Sequence, residues 1–288
     1  EWLNAHAAAG YIDYEAGTCR YILSPEQAMM FADESSPAFF VGAFQTALAA
    51  AKIQPALERA FKTGEGVGWD AHDHQLFHGV ERFFRSGYVA HLVADWIPAL
   101  DGVMQRLKEG IRVADMGCGF GASTILMAQA FPKSMFIGFD AHPESIAAAR
   151  QRAEAAGVTA NVQFEVATAK NFPGSYELVT TFDALHDLGD PEGAAAHVLS
   201  ALQPDGTWMI VEPYAEDRTE QNFHPVGRAY YAASTLICTP CSMAQEVGLA
   251  LGAQAGEARL RDIITKGGFR RFRRATETPF NLVLEARP

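Results

Sequence analysis

From residue 111 onward, apolar runs of five or six residues alternate with amphipathic stretches of ten or more. The runs predict strands at 111–115, 135–140, 162–166, 177–182 and 208–212, and the stretches between them predict helices at 122–131, 143–156 and 192–202. Strands that alternate with helices need parallel crossovers, so the expected fold class is α/β, an open Rossmann-like doubly wound sheet of seven strands. Its ligand crevice lies beyond the carboxyl ends of the strands. After 212 the alternation breaks. Residues 222–231 begin an aromatic-rich helix and 243–251 predict another, so the insertion at about 213–255 is expected to arch over that carboxyl edge as a lid. A helix at 257–266, ended by Gly267 and Gly268, then leads to two closing strands at 269–273 and 280–285, the last of them antiparallel.

Upstream of 111 the pattern is helical. Residues 1–9 read as a helix closed by Gly10, alternation at 11–14 and 19–23 around the turn 15–18 predicts a hairpin, and Ser24-Pro25-Glu26 caps a new helix. From 37 to 110 the helical pattern is broken at Gly64-Glu65-Gly66-Val67-Gly68, which reads as a flexible loop. A helix followed at once by a short hairpin is the wing half of a winged helix, whose preceding helices would lie upstream of Glu1. The expected organisation is therefore a winged-helix-like, mainly helical unit at 1–86 and a ligand-binding unit at 87–288.

Composition narrows the function classes. A chain of 288 residues with 49% hydrophobic content can bury a large core, and its net charge of −11 argues against a nucleic-acid partner, which would need a basic field. The four cysteines, Cys19, Cys118, Cys238 and Cys241, are too scattered for a disulfide framework and suit the cytoplasm. No apolar run approaches the roughly 20 residues of a membrane span.

The chemistry concentrates at Asp115-Met116-Gly117-Cys118-Gly119-Phe120-Gly121, where a strand runs into a glycine turn that opens a helix. Backbone without side chains can approach a ligand closely there. The glycines also fit the dinucleotide fingerprint, with Asp140 about where a ribose-binding acid belongs. Asp115 two residues before the first glycine, the extra glycine at Gly121, and some hundred helical residues ahead of the turn favour a different cofactor. In these features the chain resembles class I S-adenosylmethionine-dependent methyltransferases. The resemblance implies that Asp115, Gly117, Cys118, Gly119 and Gly121 form the cofactor turn and that Asp140, with Ala141, takes the ribose hydroxyls. It further implies that Thr168 and Ala169 lie near the adenine, and Phe182 and Asp183 at the end of the fourth strand of the sheet. No acid stands at 167–169, where the family often carries one.

Leu185-His186-Asp187-Leu188-Gly189-Asp190, the turn at 202–206 and the strand ending in Glu212 are similar to the small-molecule O-methyltransferases. That likeness implies His186 as the general base on a hydroxyl acceptor, with Glu212 supporting it. Leu188 replaces the family's tryptophan, and Phe182 a common lysine. It also implies a homodimer built on the amino-terminal unit. A non-enzymatic alternative is a DNA-binding regulator that senses a ligand in a methyltransferase-like domain, although residues 2–9 offer no lysine or arginine for DNA.

Other clusters read as structural. His72, His74 and His78 suit a polar helix face, Cys238-Thr239-Pro240-Cys241 is a single C-x-x-C without a second pair, and Arg270, Arg271, Arg273 and Arg274 are expected on the solvent side of a strand. No metal site is expected from the sequence.

Overall fold

The computed structural model describes all 288 residues. Its first part is a short helix α1 (Trp2–Ala8), a hairpin of β1 (Asp13–Glu15) and β2 (Arg20–Ile22), and the helices α2 (Pro25–Phe31), α3 (Val41–Ala51), α4 (Gln54–Thr63) and α5 (His74–His91). Ser24 caps α2 as a full capping box with Gln27, which satisfies donors at both ends of the first turn. α5 carries straight through position 86 and into a π-turn at Leu92–Trp96, where Leu92 and Trp96 are fully buried.

The sheet follows α6 (Val103–Glu109). Its strands β3 (Arg112–Met116), β4 (Met135–Asp140), β5 (Val162–Val166), β6 (Tyr176–Phe182) and β7 (Leu202–Pro213) are parallel. They are joined by α7 (Ala122–Ala130), α8 (Pro143–Ala155) and α9 (Pro191–Ala201), except that β5 leads to β6 through an irregular loop. After β7 come α10 (Pro225–Leu236), α11 (Cys238–Met243), α12 (Gly256–Lys266), β8 (Arg271–Glu277) and β9 (Asn281–Arg287). The order across the sheet is β5-β4-β3-β6-β7-β9-β8, with β9 antiparallel to both its neighbours. The chain thus switches direction across the sheet between β3 and β6, the place where this topology opens a crevice.

Alternate residues of each strand fill one of two cores. Val113, Phe136, Leu178, Met209 and Val283 pack under α6, α7 and α8, while Ala114, Phe139, Val179, Ile210 and Leu284 pack under α9 and α12. Because both faces are covered, the inner strands are mainly apolar, whereas the edge strand β5 alternates and β8 is rich in arginine.

Four local expectations are corrected. Residues 243–251 do not form a helix, because Val247, Gly248 and Ala250 all take left-handed backbone angles. The short α11 precedes them. β8 begins two residues later than expected, since Phe269 folds back to donate its N–H to Ile264 and buries its ring beside Trp208. The glycine loop 64–68 is anchored, not loose: Val67 is buried and its N–H donates to the Pro240 carbonyl at 2.9 Å. β7 already begins at Leu202, within the turn expected at 202–206, because Leu202 pairs with Tyr176.

Gly121 is required on two counts. Its φ is +78°, and a Cβ there would stand 2.6 Å from the Phe164 ring and 3.1 Å from the Ala149 methyl. Gly121→Ala is expected to lower stability by about 1–3 kcal/mol in urea unfolding; a loss under about 0.5 kcal/mol would show that the turn relaxes freely.

Candidate active site

The turn after β3 is fixed from below. Asp115 is buried and accepts hydrogen bonds from the Ser123 hydroxyl at 2.7 Å and the Thr124 hydroxyl on α7, and from the Thr180 hydroxyl on β6 at 2.9 Å. It ties the strand end to the start of the following helix and does not line the cleft above. The Gly117 and Cys118 N–H groups both donate to the Phe139 carbonyl, at 2.8 and 3.0 Å. Gly117, Gly119 and Gly121 all have positive φ. Only Gly119 faces open space: a Cβ there would meet nothing within 4 Å, whereas one at Gly117 would strike the Ala184 methyl. The Cys118 sulfur lies beneath the turn, against Gly138.

Asp140, at the end of β4, accepts from the Gly119 N–H and the His142 N–H, each at 2.9 Å. Burial raises its pKa and those two donors oppose the rise. Each oxygen keeps a second lone pair for a ligand.

Two clefts meet at this point. The smaller, of about 150 Å³, is lined by Gly117, Cys118, Gly119, Phe182 and Asp183 together with aromatic residues of α5. The larger, of about 480 Å³, is lined by Met116, Ala141, Thr168, Ala169, Leu188 and Cys241. Trp69, Gly117, Asp140 and Asp187 belong to both. The sequence-predicted cofactor residues therefore converge, except Asp115 and Gly121, which support the turn from behind.

On the other side of the crevice, the segment after β6 turns sharply. Asp183 has φ +49°, a left-handed angle for a residue with a side chain, held by its N–H to the Val211 carbonyl, by the Tyr88 hydroxyl at 2.9 Å and by Asn281 Nδ2 at 3.0 Å. Burial and the neighbouring Glu212 charge push its carboxyl up to about 8. His186 follows on a single helical turn, Leu185–Asp187. Its Nδ1 lies 2.7 Å from Glu212 Oε2, and Glu212 Oε1 accepts the Leu185 N–H at 3.0 Å, so one carboxylate fixes both ring and backbone. His186 Nε2 stands 3.4 Å from Asp187 Oδ1. The ring is 3% exposed and lines neither cleft; Asp187 and Cys238 cover it. Burial opposes a charge on the imidazole, but the Glu212 and Asp187 carboxylates outweigh it and hold the pKa well above the usual histidine value.

A family model described as "Methyltransferase domain" matches residues 107–268, more than half of the chain. The chain belongs to this methyltransferase-domain family. Among curated relatives, trans-aconitate 2-methyltransferase of Variovorax paradoxus is 32% identical over 126 residues, 44% of this chain and 46% of that one. Phosphoethanolamine N-methyltransferase 1 of Arabidopsis thaliana is 28% identical over 137 residues, 45% of this chain and 26% of that one. The matches span less than half of the length of these relatives. Solved structures are similar over almost the whole chain. A putative O-methyltransferase of Nostoc punctiforme aligns with TM-score 0.70 and 17% identity, covering 98% of this chain and 82% of that one. Human N-acetylserotonin methyltransferase, solved in complex with S-adenosylmethionine, aligns with TM-score 0.66 and 16% identity, covering 99% and 81%. At such identities the likeness concerns the fold.

Four further residues at the site were not assigned to it from the sequence. Trp69 and Tyr88 come from the helical region ahead of the sheet, Asn281 from the last strand and Cys238 from α11; Tyr88 and Asn281 reach Asp183 from 95 and 98 residues away in the chain, through the fold alone. The C-x-x-C spacing was the one mark that pointed to Cys238.

The burial of Asp115 makes a pH signature. Its carboxyl is pushed up to about 6 in the folded protein, from an ordinary value of 3.8, by desolvation that the three hydroxyl bonds only partly offset. A raised carboxyl pKa favours folding at low pH, and that contribution is lost as pH rises from about 4 to about 6. Asp115→Asn cannot titrate, so the melting-temperature difference between wild type and variant is expected to shift in the variant's favour across that window. A difference independent of pH between 4 and 7 would overturn the assignment.

Proposed function

We propose that the chain transfers the methyl group of S-adenosylmethionine to a small-molecule acceptor. The observation that carries this reading is the meeting of the glycine turn, Asp140 and two clefts at one point past the switch in strand order. The open space beside Gly119 admits a ligand against the backbone, and the free lone pairs of Asp140 suit two vicinal ribose hydroxyls. Ala141, Thr168 and Ala169 give the larger cleft an apolar bed for a base, without the acid that often stands there. The smaller cleft then takes the amino-acid end, beside Asp183 and Phe182. When bound, this cofactor supplies a methyl group already activated by its sulfonium charge. The protein's part is to align the acceptor and to take its proton.

O-methylation fits the acceptor side best. Glu212 fixes the Nδ1 side of His186, leaving Nε2 for the acceptor's proton, and the neutral ring must first form because the neighbouring carboxylates favour the imidazolium. Access to Nε2 requires α11 to lift, since Cys238 covers the ring. Tyr230 of α10 belongs to one apolar cluster with Cys238 and Cys241, and an aromatic ring there suits a flat apolar acceptor. The relatives' names include both a carboxylic-acid substrate and an amine, so the acceptor class rests on the histidine and not on them. The amino-terminal helices leave an apolar groove of about 650 Å³ lined by Trp2, Leu3, Tyr11, Ile12, Ile22 and Phe44, with Leu48 and Phe61 exposed nearby. Such a surface supports a homodimer through the winged-helix-like unit at 1–86, with the cofactor unit at 87–288.

Titration calorimetry with S-adenosylmethionine, S-adenosylhomocysteine and NAD tests the cofactor. Binding of the first two and not the third is expected, and Asp140→Ala should weaken it about 10- to 100-fold, the worth of hydrogen bonds to a charged group. NAD binding alone would refute the reading, and unchanged affinity in the variant would remove Asp140 from the ribose. His186→Ala is expected to reduce turnover at least about 100-fold on a hydroxyl acceptor with cofactor affinity nearly unchanged. A loss below about tenfold would show that His186 does not handle the proton.

A further inference from the structure

The C-x-x-C motif, which the methyl-transfer reading leaves unused, lies directly over the histidine. α11 begins with Cys238 and brings its sulfur to His186 and Asp187, so that an imidazole nitrogen, a carboxylate oxygen and a thiol sulfur from these three residues fall within 4.8 Å of one another. Asp187 Oδ1, which faces His186 Nε2 at 3.4 Å, is shielded from water and has no hydrogen-bond partner. The imidazolium beside it supplies charge but no hydrogen bond, so this shielded carboxylate oxygen remains free to bind a cation. Cys241, one helical turn further on, rests its sulfur 3.4 Å from His72 Nε2, and His72, itself buried, leaves Nδ1 without a partner.

We infer that His186, Asp187 and Cys238 form a binding site for a borderline-soft divalent metal ion of the zinc type. The donor set decides the ion class: nitrogen, oxygen and sulfur together suit zinc, whereas magnesium and calcium prefer oxygen alone. Metal–ligand lengths near 2.0–2.3 Å imply ligand separations of about 3.3–3.8 Å, so the donors need to close by roughly an ångström. Glu212 already occupies the position that a supporting carboxylate takes behind a metal-bound histidine, fixing Nδ1 and leaving Nε2 to the ion. The Cys238 sulfur is buried, and a bound cation would offset the cost of a buried thiolate by ligating it. Loading releases the thiol proton and one imidazolium proton to solvent. The net charge of the cluster is unchanged, because the ion replaces the imidazolium charge that Asp187 and Glu212 share and neutralises the new thiolate.

The inference rests on the assignment of His186 to the acceptor side of the site. There the ion and the acceptor's proton compete for the same nitrogen, and an ion in place would activate a hydroxyl as a Lewis acid instead. Two states of one site follow, with the ion deciding which is present.

Cobalt(II) is the probe, added to the metal-stripped full chain and followed by absorption, with zinc affinity measured by competition against a chromophoric chelator. One equivalent of cobalt is expected to give a sulfur-to-metal charge-transfer band with strong tetrahedral d–d bands, and zinc to displace it with submicromolar affinity. Cys238→Ser should abolish the sulfur band and Asp187→Asn should weaken zinc at least about tenfold while keeping that band; Cys241→Ser should keep both. Absence of a charge-transfer band in wild type, or a band that survives Cys238→Ser and disappears in Cys241→Ser, would overturn the site. Should Cys238→Ser fail to fold by circular dichroism, Asp187→Asn decides alone, unchanged zinc affinity overturning it. Calorimetry with S-adenosylhomocysteine on the same metal-free protein reports the cofactor reading separately, so either can fail without the other.

Discussion

Four carboxylates at the carboxyl ends of adjacent strands, three buried and one half-buried, are the constraint around which this structure is organised. Asp115, Asp140, Asp183 and Glu212 end or follow β3, β4, β6 and β7, and each would be strongly destabilising there without donors. Each is met by groups from elsewhere: hydroxyls of α7 and β6 for Asp115, backbone N–H groups for Asp140, Tyr88 and Asn281 for Asp183, and Leu185 with His186 for Glu212. The need to satisfy these acids draws the helices ahead of the sheet, the turns and the last strand to one edge. That edge is thereby polar inside an otherwise largely apolar sheet.

The sheet was legible in the sequence because the inner strands read as mainly apolar runs and the edge strand β5 alternates, and β4 and β5 fall where those patterns predict them. The glycine turn and Asp140 were legible because each performs a backbone or charge task that few residues can perform. The lid was not. Its path depends on left-handed angles at Val247 and Ala250, which no residue preference announces, and on packing against a loop some 170 residues away in the chain.

The roles of Asp115 and His186 were legible only in part. Their neighbourhood in sequence marked both as part of the site, yet the direction in which each side chain points is set by tertiary partners. Asp115 turns under the glycine loop to three hydroxyls, and His186 turns toward Glu212 under α11. Asp187, the less conspicuous neighbour, is the one that reaches both clefts.

The anchoring of the glycine loop reaches furthest. Gly66 lies so close to the chain after α11 that a Cβ would stand 2.1 Å from the Ala244 nitrogen, and three residues on, Trp69 walls both clefts. The helical half of the molecule is thus a roof over the cofactor bed and a clasp on the cover of His186 at once. Cutting the chain ahead of the sheet would remove a wall of both clefts along with whatever the helices do for themselves, so the two halves make one structural unit.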